Sequence, residues 1–163
     1  MDGIRANIKA IRGNDPLLGD DAELRDVLQR GLHRRFGSGC RVELVRRSPS
    51  ACRSSYSIEH LEVRCAGGRT LNMVFKDLSA GEISELTQQA KPSFLYDPLR
   101  EMNVYERLLP HEGESLGTPQ LYATLADEPG QRFWLFLERV LGVELYQIGD
   151  IAIWERAVRW LAR

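Results

Sequence analysis

The sequence has few cysteines, no long apolar run and no excess of charge, and each shortage excludes a class of protein. Three cysteines in 163 residues, Cys40, Cys52 and Cys65, are odd in number and lack C-x-x-C spacing. This pattern argues against a disulfide framework or zinc site and favours a reducing, cytoplasmic compartment. No apolar run approaches the ~20 residues of a membrane span, and the first residues lack a signal-peptide core. A net charge of -1 gives no reason to expect nucleic acid or a membrane as partner.

The sequence also lacks the common local motifs of catalysis. It contains no Walker phosphate-binding motif and no G-x-S-x-G nucleophile motif. Its histidines, His33, His60 and His111, lie far apart and have no matched cysteine or carboxylate spacing. No metal ligands are therefore expected in this chain.

Apolar periodicity predicts an α+β fold, a five-stranded antiparallel sheet with helices on one side. The predicted strands cover 41–46, 56–65, 70–76, 120–125 and 133–138. Segment 133–137 is apolar on both faces, so it is expected to be an inner strand. The apolar phase of the second strand slips between Ile58 and Leu61, which predicts a bulge there.

Four helices are predicted around this sheet. An extra N-terminal amphipathic helix begins at Asp20 or Asp21 and stops at Gly37. A polar helix covers 79–90, and a third runs from an Asp97 cap to Leu109, before Pro110. The last begins after Asp150 and carries an apolar stripe of Ile151, Trp154, Val158 and Leu161.

Lys76 and Glu101 are the candidate functional pair. Lys76 ends an apolar strand, so its ammonium needs an anionic partner near the core. Glu101 is expected on a helix face that it shares with Val104, Tyr105 and Leu108. These positions predict an ion pair between Lys76 and Glu101. The alternatives are a lysine that reaches solvent off the strand end, and a buried ion pair without a ligand.

Three motifs occur in order: Val74-Phe75-Lys76, R-E-x-x-x-Y-x-x-L over 100–108, and Leu137-Glu138-Arg139-Val140. Together they make the segment 41–163 resemble the N-terminal lobe of the protein-kinase-like small-molecule phosphotransferases, the aminoglycoside and choline kinase group. The resemblance implies that the helix 98–109 is the kinase C-type helix and that the chain binds ATP. The implied site comprises Lys76 and Glu101 at the phosphates, Val74, Leu137 and the backbone of Glu138 and Val140 at adenine, and Ser54 and Ser55 in the phosphate loop.

The chain departs from the family's pattern in two places. The loop 48–55 contains no glycine, so the hydroxyls of Ser54 and Ser55 would have to replace backbone amides at the phosphates. The alternative is a plain hairpin loop. The sequence also has no H-x-D-x-x-x-x-N and no D-F-G run, so no catalytic residue is assigned.

The expected organisation is a leader and amphipathic helix over 1–40, a nucleotide-binding lobe to the hinge over 41–142, and the start of a truncated second lobe over 143–163. The expected function is the ATP-binding lobe of a phosphotransferase that acts on a small hydroxylated molecule, inactive as this fragment. Mg²⁺ ligands and the acceptor site would belong to the missing lobe. The alternative is a non-catalytic binding or dimerisation module, and an exposed lobe interface predicts a possible homodimer.

Overall fold

A computed structural model of the chain describes residues 17–50, 55–83, 92, 96–112 and 117–162. These described residues form three helices and five strands. Helix α1 spans Leu17–Phe36; strands β1, β2 and β3 span Val42–Pro49, Ser57–Cys65 and Thr70–Asp77. Helix α2 runs on through Pro98–Asn103, Val104–Leu108 and Leu109–Glu112. Strands β4 and β5 span Leu121–Asp127 and Arg132–Glu138, and helix α3 spans Ile151–Leu161. Short 3-10 turns lie at Ala80–Glu82 and Leu145–Gln147.

The strands form one antiparallel sheet in the order β1-β2-β3-β5-β4. The predicted α+β class and five-stranded sheet are confirmed. Strand β5 lies between β3 and β4, and residues 133–137 are all buried, which confirms the predicted inner strand. The turn between β2 and β3 uses Gly67 and Gly68 at φ of 81° and 83°, the left-handed conformation that glycine adopts without strain.

Helices cover both faces of the sheet, so the expectation of helices on one side is wrong. Leu24, Val27, Leu28 and Leu32 of α1 pack with alternate residues of the sheet, among them Phe75 and Phe136. Met102 of α2 packs in a separate cluster with Phe133, Leu135 and Leu137. The cause is β5 itself, because a strand that is apolar on both faces needs cover on both.

The bulge lies in β1 and not in β2. The β2–β3 register is continuous from Ser57 to Arg64, whereas the β1–β2 register shifts between Val42 and Leu44. The phase slip in β2 has another cause. Tyr56, just before β2, packs against the α2 cluster, whereas Leu61 within β2 is buried in the α1 cluster on the other face. Strand β1 also extends to Pro49, so part of the predicted loop is strand.

Helix α2 does not end before Pro110. Its middle stretch, Val104–Leu108, is π-helical, and the backbone N–H of Leu109 donates to the carbonyl of Val104. Pro110 has no N–H to donate, and the wide turn before it already departs from the i→i−4 pattern that a proline ring obstructs. The π turn also rotates the helix face, so that Leu108 is 60% exposed and not in the predicted stripe.

Helices α1 and α3 are present where the sequence predicts a helix. Helix α1 starts before the predicted caps, and α3 starts where predicted, since the Asp150 carboxylate accepts a hydrogen bond of 2.9 Å from the Ala152 N–H. Of the predicted helix 79–90 the structure describes a 3-10 turn at Ala80–Glu82; residues 84–90 lie outside the described part. Among the described residues, no helix is long and apolar enough to cross a membrane.

Helix α1 approaches β4 so closely that only glycine fits at position 31. A Cβ added there would lie 2.4 Å from the Tyr122 carbonyl oxygen and 2.5 Å from the Ala123 Cβ. We predict that Gly31→Ala lowers the free energy of unfolding by about 3 kcal/mol, because overpacking against backbone exceeds the ~1 kcal/mol gained in helix propensity. Urea denaturation of both proteins measures the difference.

Gly39→Ala is the matched control. Nothing lies within 4 Å of a Cβ at Gly39, so its effect should stay within about 0.5 kcal/mol. Equal effects of the two substitutions would show that α1 does not pack on β4 as described.

Candidate functional site

Lys76 and Glu101 form a salt bridge, as predicted from their positions. The Lys76 Nζ donates to both carboxylate oxygens of Glu101, at 2.8 Å and 2.6 Å. The side chains are 18% and 35% exposed. The pair is therefore shielded on the protein side and open on one side to solvent or a ligand.

The main chain fixes both partners independently. Lys76 lies in β3, paired with Ile58 of β2 and Leu135 of β5. Glu101 lies in the first turn of α2, where the Asp97 carboxylate accepts a hydrogen bond of 2.9 Å from the Leu99 N–H. Because that cap fixes where the helix begins, it also fixes the position of Glu101 along the helix and therefore relative to Lys76 in the sheet.

Met102 anchors α2 on the sheet, and the sequence analysis missed it. It is buried against Leu135 and Leu137, with Leu99 and Tyr105 packed beside it. Leu99, Met102 and Tyr105 follow a spacing of three. That spacing was available in the sequence as an alternative to the stripe that ended at Leu108.

Tyr56 is a second residue of the site that no pattern in the sequence indicated. The Lys76 Nζ lies 5.8 Å from the centre of its ring, within the range of a cation–π contact. Burial raises the pKa of Tyr56, and the negative charge of Glu101 raises it further. Burial and Glu101 likewise raise the pKa of Tyr105. Both phenols therefore stay neutral beside the ion pair at ordinary pH.

The predicted adenine-contacting side chains lie side by side. Val74 of β3 is directly opposite Leu137 of β5, and His60 of β2 is opposite Val74 on its other side. These three residues form a row across three strands, on the face that also carries Lys76. Burial lowers the pKa of His60, and Arg139 lowers it further, so this row is uncharged at neutral pH.

The chain leaves the sheet immediately after the predicted hinge begins. The Glu138 N–H donates to the Gln120 carbonyl at 2.8 Å, and the Arg139 N–H donates to the Asn72 carbonyl at 3.0 Å. Val140 is exposed, and within the described part of the chain its N–H donates no hydrogen bond. The hinge thus offers one backbone donor beside the apolar row.

The predicted phosphate loop is only partly described. Ser54 lies outside the described residues. Ser55 is half-buried in a bend before β2, three positions ahead of Ile58, which pairs with Lys76. In the ranges that the structure describes, no group of three or more His, Cys, Asp and Glu is placed to hold a metal ion.

Comparisons with protein-family models, with curated proteins and with solved structures found no match for this chain.

We predict that the Lys76–Glu101 pair contributes coupling energy to folding. A double-mutant cycle with Lys76→Met and Glu101→Gln should give about 1 kcal/mol, between the values for exposed pairs and for hydrogen bonds to charged groups. Urea denaturation of the four proteins measures it. Glu106→Gln is the control, because Glu106 is exposed and accepts a hydrogen bond from Thr124 instead. If Lys76 couples equally to Glu106, the described pairing is wrong.

Proposed function

We propose that this chain is the nucleotide-binding lobe of an ATP-dependent phosphotransferase that acts on a small hydroxylated molecule. The observation that carries the proposal is the placement of the Lys76–Glu101 pair on the same sheet face as the Val74–Leu137 row. An adenine-sized apolar surface, a backbone donor and a held cation are the three elements that a nucleotide needs from such a lobe.

The ion pair leaves Lys76 able to bind a phosphate. An ammonium has three N–H donors, and Glu101 occupies two directions with its two carboxylate oxygens. Among the described residues no other acceptor contacts this ammonium, so the third donor can contact an α- or β-phosphate oxygen. Glu101 and the Tyr56 ring hold the long lysine side chain in place, which reduces the entropy lost when a phosphate binds.

The strand order supports the same proposal. Because β5 inserts between β3 and β4, its carboxyl end and the hinge after it lie beside Val74 and not at a distant sheet edge. Leu137 is buried at the inner end of this surface, and Val140 is exposed at the outer end. Adenine would thus lie along the face with its polar edge against the backbone at Glu138 and Val140.

In the proposed enzyme a second lobe carries out the chemical step. In it, that lobe provides the Mg²⁺ ligands, the group that orients the acceptor hydroxyl, and the acceptor site. The described residues provide one wall of a cleft. The exposed apolar stripe of α3, close in sequence to the hinge, is the surface on which the second lobe would pack.

We predict that this chain binds ATP with a dissociation constant no tighter than about 1 mM, roughly 4 kcal/mol of binding free energy. One wall covers only part of an adenine, and tight binding of small ligands requires most of their surface to be covered. A titration with Mg²⁺-ATP, followed by amide NMR shifts, should perturb Glu138, Val140 and Val74. No phosphate transfer should be measurable.

Two controls separate the parts of the site. Adenosine should perturb Val74 and the hinge amides but not Lys76, and Lys76→Ala should remove the phosphate-dependent shifts while the protein remains folded. Micromolar, Mg²⁺-dependent binding would contradict the one-wall site. Shifts that avoid the hinge altogether would contradict the proposed function.

A non-catalytic dimerisation module is the second candidate function. The apolar stripe of α3, comprising Ile151, Trp154, Val158 and Leu161, is exposed along its whole length. Exposed apolar patches of this kind mark interaction surfaces. A second copy of the chain would cover the stripe as well as a second lobe would.

We predict that the chain self-associates through this stripe. Sedimentation velocity at rising protein concentration should show a dimer, and Val158→Gln should weaken it at least several-fold by removing buried apolar area. Arg156→Gln, an exposed position on the same helix, is the control and should leave the dimer unchanged. A monomer at every concentration would exclude the dimerisation module. A stable dimer without hinge shifts on ATP addition would favour it.

A further inference from the structure

Cys40 and Cys65 meet in the core although they lie 25 positions apart in the sequence. Their Sγ atoms are 3.0 Å apart, which is closer than the usual van der Waals separation of two sulfur atoms. Both thiols are free. The side chains are buried, with 6% and 0% exposure, in the cluster that α1 covers.

The backbone holds the two cysteines in this arrangement. The Ala66 N–H, next to Cys65, donates at 2.8 Å to the carbonyl of Arg41, next to Cys40. The Gln29 amide of α1 donates at 2.8 Å to the Cys40 carbonyl, and the Cys65 N–H donates at 2.8 Å to the Arg69 carbonyl. A disulfide requires an S–S distance of about 2 Å, and this frame holds the two sulfur atoms 3.0 Å apart.

We infer that Cys40 and Cys65 form an oxidation site that closes to an intramolecular disulfide when the chain meets a low-molecular-weight disulfide oxidant. The inference is independent of the proposed nucleotide site, because the cysteines lie in the α1 cluster, on the opposite face of the sheet from Lys76.

The exchange proceeds in two steps. Cys40 loses its proton, and its thiolate attacks one sulfur of the oxidant, here oxidised glutathione, and displaces the first glutathione thiolate. Cys65 then loses its proton and attacks the Cys40 sulfur of the mixed disulfide, displacing the second glutathione. The two cysteines together lose two protons and two electrons, and oxidised glutathione is reduced to two glutathione thiols.

The difference in accessibility indicates which thiol reacts first. Cys40 follows the exposed turn of Gly37, Ser38 and Gly39, whose displacement admits the oxidant, whereas Cys65 is fully enclosed. Burial, together with the neighbouring Cys40 thiol, raises the pKa of Cys65 to about 12. Since the thiolate is the reactive form, oxidation is slow at neutral pH and accelerates as pH rises.

The experiment incubates the folded protein with oxidised glutathione, traps free thiols by alkylation and maps the peptides by mass spectrometry. We expect one product, a monomer with a Cys40–Cys65 crosslink. Its melting temperature should exceed that of the reduced protein by about 5–10 °C, because the bond closes a loop of roughly 25 residues in the unfolded chain.

Two variants control the assignment. Cys52→Ala removes the third thiol and should leave the crosslink and the melting shift intact, while Cys40→Ala should abolish both. Three results would overturn the inference: glutathione that stays on Cys40 as a stable mixed disulfide, a crosslink that contains Cys52, or thiols that remain free in the folded protein yet crosslink in urea. The peptide map of the unmodified sequence is decisive even if Cys40→Ala does not fold.

Discussion

The double-sided burial of β5 is the constraint on which the rest of the structure depends. Residues 133–137 are buried without interruption and point alternately into two separate clusters. A strand of this kind cannot face water on either side, so the fold needs one helix on each face. Helix α1 covers one face and α2 covers the other. The packing that buries Met102 against Leu135 and Leu137 also places Glu101 one residue away, within reach of Lys76.

The two faces of the sheet differ in how completely they are buried. The α1 face is an apolar cluster with two close contacts, one between Gly31 and β4 and one between Cys40 and Cys65. The α2 face is less fully buried. The ion pair, Tyr56 and Val74 on this face are all partly exposed. Desolvation of a charged pair is costly in a closed core, and partial exposure reduces that cost. In a partly exposed pair, the Lys76 ammonium can therefore stay charged and accessible to an anionic ligand.

Local signals in the sequence were sufficient for the strands, the caps and the ion pair. Alternation and turn residues identified all five strands, Asp97 and Asp150 identified two helix starts, and Lys76 with Glu101 identified the pair. The error in α2 came where a regular helical period was extended too far. The expected face of α2 assumed 3.6 residues per turn, and the π turn at Val104–Leu108 changed that period after Glu101. Glu101 was placed correctly because it precedes the irregular turn and is set by the Asp97 cap.

The cysteine contact shows what spacing motifs cannot detect. C-x-x-C and related patterns report sulfurs that are close along the chain, whereas Cys40 and Cys65 are brought together by the β1–β2 hairpin. In an antiparallel pair the start of the first strand lies beside the end of the second, so Cys40, just before Val42, necessarily lies near Cys65. The predicted strands already implied that Cys40 and Cys65 lie in the same region of the sheet. Deriving the contact itself required the register of β1 against β2, which the bulge between Val42 and Leu44 sets and which alternation of apolar residues does not reveal.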